Sequence, residues 1–472
     1  MRRRRHLAPV WLHVALAGLA VLVLPTPGVA AKSEADRLWL VGTGALEDGL
    51  YETAYAELGR FIQAAPADPR RGDAALLRGK AAFQMERFAE ALAEFESAEA
   101  FPLTLATPGE AIYWQGEALS RLRRLDEARD RYQRYLALKP ASPYAAEALY
   151  ARGLTELETG RADGAIDTFR DFLRDYPNHP RAPVAAYSAA RELIRAKRWD
   201  DALALLTPYA TRYPGSPYLA ESRYLLGVAQ LEASRPEGAR TLEQFIAQTP
   251  TSDLVPAARV LVAEAHAKAG RLPQALEQYQ ALVRTAPVDA RVPLALYRIG
   301  ELSLRLNRST DAEAAWTTLR RDFPRDDQAV AAGLSLADLY VKRKQWEPAL
   351  LVAQSVADGK GEGRSDALLI VGQSALQLRR NAEAAQAYHT ATVEAAKGSK
   401  RYFEGLAGLA AALEATDKEG AKRAYREIVD TGQDPELVRW AKSRLTALET
   451  PAPPPPRDTP RPKPKPKGSG GG

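Results

Sequence analysis

One spacing constrains this chain of 472 residues more than any other feature. Small residues stand at Gly42, Gly79, Gly116, Gly153, Ala190 and Gly227, each 37 residues after the last. The row continues at Ala263, Gly300, Ala337, Gly372 and Gly408, with gaps of 35 to 37. A second row follows about twelve residues on: Ala54, Ala91, Ala128, Ala165, Ala202, Ala239, Ala275, Ala312, Ala349, Ala384 and Ala421. Four residues after most of these alanines comes a large side chain: Leu58, Phe95, Tyr132, Phe169, Leu206, Tyr279, Trp316, Tyr388 or Tyr425. In the Ala239 repeat, one residue short in its turn, Leu242 takes that role. Eight residues after the large side chain a proline recurs, as at Pro66, Pro140, Pro177, Pro214, Pro250, Pro287 and Pro324. A period of this length marks an array of supersecondary units, not a set of globular domains.

Each unit reads as a helix pair. A small residue in the first helix lets the second helix cross closely, and the alanine of the second helix is the matching contact. A large residue at i+4 shares the alanine's helical face and fills the space beside it. Proline ends the second helix. Gly160 and Gly270 fall between the two helices, where a positive φ is needed. One pair cannot bury its own apolar face, so stability comes from stacking neighbours. Abundant alanine and sparse β-branched residues agree with helix throughout.

Chemistry is hard to find in this pattern. There is no cysteine, hence no disulfide, thiolate zinc site or cysteine nucleophile. Gly359-Lys360 is followed by glycine and is not a phosphate loop, and Gly42-Thr43-Gly44 lacks the third glycine of a dinucleotide site. His179, His266 and His389 belong to different repeats without metal-ligand spacing. Carboxylates such as Glu90, Glu94 and Glu96 follow the surface rhythm of a helix. The expectation is no catalytic, metal or cofactor residue, and no small-molecule substrate. The formal charge of +6 resides at the ends. Arg2 to Arg5 face no acid in residues 1–31. Five basic residues (Arg457, Arg461, Lys463, Lys465, Lys467) face only Asp458 in the last 22, which leaves the body at −2. A nucleic-acid binder would carry its basic charge on the fold, so that class is set aside.

The ends read differently from the body. Residues 1–31 have a basic start, an apolar run from Val10 to Leu24, and small residues at Val29-Ala30-Ala31, the layout of a cleaved export signal. An uncleaved anchor is the alternative. Without a cysteine after the signal there is no lipid attachment site, so the expected location is the periplasm, reached without a lipid anchor. Residues 450–472 are rich in Pro, Lys and Gly and cannot build a core. They are expected to be a disordered tail, either solubilising or in contact with anionic envelope polymers. The expected organisation is signal 1–31, array 32–431 with a hinge at 358–364, cap helix 432–449 begun by Asp434-Pro435, and tail 450–472.

The pattern of a small residue, Ala-x-x-x-aromatic and then Pro, as in Gly153, Ala165-Ile166-Asp167-Thr168-Phe169 and Pro177, resembles the tetratricopeptide repeat family. The period is 37 rather than about 34. The links Lys139-Pro140-Ala141-Ser142-Pro143, Tyr176-Pro177-Asn178-His179-Pro180 and Tyr213-Pro214-Gly215-Ser216-Pro217 are similar to those of periplasmic members, including the Tol–Pal-associated cell-division coordinator and outer-membrane assembly proteins. The resemblance implies an all-α, right-handed superhelical solenoid of about eleven helix pairs plus a C-terminal cap helix. It also implies a non-enzymatic scaffold that binds other envelope proteins or peptides. The alternative is a non-catalytic subunit recruiting a peptidoglycan or polysaccharide enzyme.

By the same resemblance, first helices line the groove. Tyr113, Tyr150, Tyr187 and Tyr224 recur at 37, with Tyr297 two repeats on, each three residues before the small row. They are candidates for a partner-binding ladder, but their regularity favours packing between repeats, because scaffolding residues repeat while specific sites break repeat symmetry. The less regular Glu117, Arg191, Arg195, Glu264, Lys268 and Glu301 are candidates for specificity.

Overall fold

The computed structural model describes residues 33–139, 141–361 and 363–450. The expected signal, residues 1–31, and the tail from 451 on lie outside the described residues. Among the described residues the structure is all-α, with twenty-four helical segments and no strand. The chain divides into two compact units, Met1–Glu192 and Leu193–Gly472.

The first unit holds α1 (Glu34–Glu47), α2 (Tyr51–Ala64), α3 (Arg71–Gln84), α4 (Phe88–Glu99), α5 (Glu110–Arg121), α6 (Leu125–Ala137), α7 (Tyr144–Glu158) and α8 (Ala162–Asp175). α9 (Ala182–Arg195) crosses the boundary. The second unit holds α10 (Trp199–Leu206), α11 (Tyr209–Arg212), α12 (Leu219–Glu232), α13 (Gly238–Gln248), α14 (Val255–Lys268), α15 (Leu272–Thr285), α16 (Val292–Arg305) and α17 (Ser309–Asp322). It ends with α18 (Asp327–Lys342), α19 (Trp346–Ala357), α20 (Arg364–Gln377), α21 (Asn381–Glu394), α22 (Lys400–Leu413), α23 (Lys418–Thr431) and α24 (Pro435–Glu449). With α10 and α11 taken together, the order is eleven pairs and a last helix. Within each unit every helix packs on the next, and first helices also touch the first helices of neighbouring pairs. The core is therefore a succession of local clusters, one running Ala75–Ala148 and another Val260–Leu339.

Close crossing explains the row of small residues. A Cβ added at Gly153 would stand 2.7 Å from the Phe169 ring, at Gly116 2.7 Å from Tyr132, and at Gly79 2.5 Å from Phe95. Gly42 faces Leu58 and Gly227 faces Leu242 in the same way, at 2.7 and 2.6 Å. Gly300 lies against the Trp316 indole. Both Gly372 and Gly408 press on Tyr388, so this ring is clamped from its own pair and from the following one.

The turn inside each pair is built ten times alike. Gly49, Glu86, Arg123, Gly160, Lys197, Ser234, Gly270, Asn307, Lys344 and Arg379 all have φ between 56° and 76°. At each, two amides reach back over the helix end, as Arg161 N to Glu156 O at 2.8 Å and Gly160 N to Leu157 O at 3.0 Å. This double hydrogen bond is the Schellman closure. Seven of the ten positions are not glycine, so the expected glycine turn is a backbone requirement that most repeats meet with other residues. The residue before six of the seven terminal prolines is pushed off the helical region by the proline ring: Ala65, Tyr176, Tyr213, Thr249, Ala286 and Phe323 have φ from −129° to −138° and ψ from 53° to 63°, while Lys139 has φ 48°.

Two features break the regular pattern. Pro208, which has no amide hydrogen to donate, splits the second helix of the fifth pair into α10 and the single turn α11, whose Tyr209 is buried. The link 100–109 is held by the buried Asp73, whose carboxylate accepts from the Thr104 and Leu105 amides at 3.1 Å and the Thr104 hydroxyl at 2.5 Å. At the far end, Asp434 caps α24 by accepting from the amides of Glu436 and Leu437.

Candidate functional site

Consecutive first helices leave clefts between them, and two occupy equivalent places. In the first unit a cleft of about 300 Å³ lies between α5 and α7, lined by Glu117, Ser120, Tyr132, Ala151, Leu154, Thr155 and Glu158 among others. In the second unit a cleft of about 400 Å³ lies between α14 and α16, lined by Glu264, Ala267, Tyr279, Arg298, Glu301, Leu302 and Arg305, with Lys268. Each of these seven stands 147 residues after its counterpart, which is four repeats. The repeat therefore builds the same recess twice and lines it with different charges.

The first cleft is acidic. Tyr132 donates to Glu117 at 2.7 Å, and burial pushes both the Glu117 carboxyl and the Tyr132 hydroxyl up from their ordinary pKa ranges. Arg181 Nε donates to Glu147 at 2.6 Å and its guanidinium lies 4.8 Å from the Tyr150 ring centre. Glu158 is paired with Arg123 at 2.5 Å. In the second cleft Arg298 pairs with Glu301 at 2.7 Å and also feels the Glu264 charge. Burial there pushes the Tyr279 hydroxyl up to about 12.

The tyrosine row does not form a uniform ladder. Tyr113 and Tyr150 reach the first cleft, yet only 7% and 6% of each is exposed. Tyr113 stacks on Tyr144 with ring centres 4.7 Å apart and lies 5.7 Å from Tyr135. Tyr150 tilts against Phe169 and Phe172 at 5.9 and 5.8 Å. Tyr224 packs on Phe245 at 5.7 Å, and Tyr297 is half-buried against the core holding Trp316, whose indole donates to the Tyr297 carbonyl at 3.2 Å. Tyr187 is half-buried, with the Arg191 guanidinium 5.9 Å from its ring centre. Tyr113, Tyr150 and Tyr224 are anchored by second-helix aromatics of their own repeats, and Tyr113 and Tyr150 also line a recess.

The specificity candidates divide. Glu117, Glu264, Lys268 and Glu301 line the clefts. Arg191 and Arg195 line neither, and Arg191 pairs with Glu192 at 3.3 Å. Sequence reasoning missed Glu147, Ala151, Arg181 and Arg298 as lining residues. It also read Tyr132 and Tyr279 only as core. Positions one and two helical turns beyond the first-helix tyrosine find Leu154, Glu158, Glu301 and Arg305, but not Glu147, Ala151 and Arg298, which stand beside the tyrosine, or Arg181, in the following link. His266, by contrast, is buried between Glu243 and Arg271, which donates to its Nδ1 at 2.9 Å.

Residues 113–180, 187–253 and 236–290 match the family model for the tetratricopeptide repeat. Tetratricopeptide repeats are thus matched between residues 113 and 290. Its fold is similar to that of Naa15/Naa10 bound to HypK-THB, at 14% identity and a TM-score of 0.44, covering 88% of this chain and 66% of that one. It is also similar to the C-terminal part of a TPR repeat-containing protein from Cytophaga hutchinsonii, at 15% identity and 0.40, covering 54% and 97%. A third similar structure is YrrB, a TPR protein with an unusual peptide-binding site, at 16% identity and 0.33, covering 40% and 91%. No curated protein sequence matches the chain.

Proposed function

We propose that this tetratricopeptide-repeat chain is a non-enzymatic scaffold of the periplasm that holds segments of other cell-envelope proteins along its first-helix face. Tetratricopeptide repeats in general mediate contacts with proteins and peptides, and the layout of residues 1–31 supports export. The observation that carries the binding reading is the pair of equivalent clefts. Both lie between first helices, and both set a second-helix tyrosine, Tyr132 or Tyr279, against charged rims. A scaffold that reads a segment side chain by side chain needs such recesses at repeat spacing.

The test is site-specific photo-crosslinking in living cells. A photoreactive residue placed at Leu154 or Arg305 should capture defined envelope proteins, while one at Asp130, on the second-helix side, should not. Fractionation and N-terminal sequencing of the same material should place the chain in the periplasm, beginning near Lys32. Crosslinks from Asp130 alone, or a cytoplasmic chain, would overturn this reading.

A further inference from the structure

The two clefts differ in one respect that points to a ligand. In the second, Glu264 faces a cation from the neighbouring first helix, Arg298, whose pKa its charge helps to raise. In the first, Glu117 holds the position of Glu264, and Ala151 holds that of Arg298. Arg298 is itself paired with Glu301, whose counterpart is Leu154, so the first cleft lacks that whole ion pair and the vacated space is part of the recess. Arg121 and Arg181 act on the Glu117 carboxyl from a distance, but each is engaged elsewhere. Arg181 pairs with Glu147, Arg123 pairs with Glu158, and the Arg121 guanidinium lies 5.7 and 5.8 Å from the rings of Phe83 and Phe88. Glu117 receives the Tyr132 hydroxyl, and none of the ion pairs among the described residues includes it. A carboxylate in a recess, short of a counter-ion, costs stability until a cation arrives. The walls suit the stem of such a side chain, because Tyr113, Tyr132, Tyr150, Ala151 and Leu154 line the space and long basic side chains lay their methylenes along apolar surface.

We propose that the cleft between α5 and α7 is a binding site for one lysine or arginine side chain, carried on an extended segment of a partner protein. Glu117 is its counter-ion, and Arg298 of the second cleft shows the place the guest takes. This rests on the scaffold reading above and names the chemistry that one of its recesses selects. The partner is a protein segment with a basic residue in an otherwise neutral stretch, since Glu117 is the one lining carboxylate outside an ion pair, with Glu147 and Glu158 already paired.

The probes are two dye-labelled twelve-residue peptides, one with Lys and one with Glu in a Gly-Ser background, titrated into the full chain and read by fluorescence anisotropy. The Lys peptide should bind more tightly. Glu117→Gln, which keeps the side chain's shape, should weaken it by about ten-fold. Glu301→Gln, the same charge change in the other cleft, should leave it unaltered. Ala151→Arg, which supplies the missing guanidinium from within, should abolish binding, and thermal melting should show both first-cleft variants folded. Equal affinity in wild type and Glu117→Gln, or an equal loss in Glu301→Gln, overturns the assignment. If Leu154 crosslinks envelope proteins while Glu117→Gln has no effect, this inference fails and the scaffold reading stands. If neither crosslinks nor peptide binding occur, both fail.

Discussion

Gly160 has φ 75° and an added Cβ would meet nothing within 4 Å. The only cost of a side chain there is the left-handed backbone, about 1 kcal/mol. Gly160→Ala should therefore lower the stability of its unit by about that amount in urea titration, with no change in slope. A loss of several kcal/mol would mean that the turn is packed rather than merely bent. Arg123 already has φ 60° in the equivalent turn, so Arg123→Gly should have the opposite sign. Glu117 carries a different kind of strain. Burial raises its folded pKa above its unfolded value, so the native state binds the proton more tightly. Its contribution is fully present below the unfolded pKa and is lost as pH rises through the folded value. Glu117→Gln should accordingly raise the melting temperature at pH 7, and the gain should vanish near pH 4. A variant less stable than wild type at neutral pH would show that the carboxylate is needed for folding.

At the scale of the helix pair, the glycine rows rank the repeats by how stiff the opposing side chain is. Gly42 faces the leucine Leu58, which can change rotamer, while Gly300 faces the flat Trp316 ring, held by its hydrogen bond to the Tyr297 carbonyl. Gly300→Ala should cost about 1–3 kcal/mol and Gly42→Ala less, measured as shifts in urea midpoint. The reverse order would mean that the pairs open freely and that the rows do not set the crossing. These rows were legible in the sequence because a close crossing needs a small residue and a bulky one at fixed separation. The tie from Asp73 was not, since a carboxylate on a helix reads as surface until the link at Thr104 folds over it. Nor was the role of Glu86 or Lys197 in a left-handed turn, because neither residue type asks for that conformation. The cleft was half legible: Glu117 stood out as irregular, but its missing partner at Ala151 becomes visible only beside Arg298.

Over the whole molecule, packing is local in sequence, and this sets how damage spreads. In the second unit α17 touches α16 and α18, and the cluster around Trp316 runs from Val260 to Leu339. The cluster at the end of the chain, Phe403 to Ala441, shares none of those residues. In an array of nearest-neighbour contacts, stability is a sum of repeat and interface contributions, so a cavity weakens its own pair and the pairs beside it. Trp316→Ala empties a fully buried site and should cost about 3–5 kcal/mol locally. Hydrogen exchange read by mass spectrometry should show faster exchange in α15 to α18 and near-unchanged protection in α22 to α24. Uniform acceleration through α24 would instead show the unit unfolding as one cooperative body. A binding groove made of semi-independent pairs could then not adjust one recess at a time.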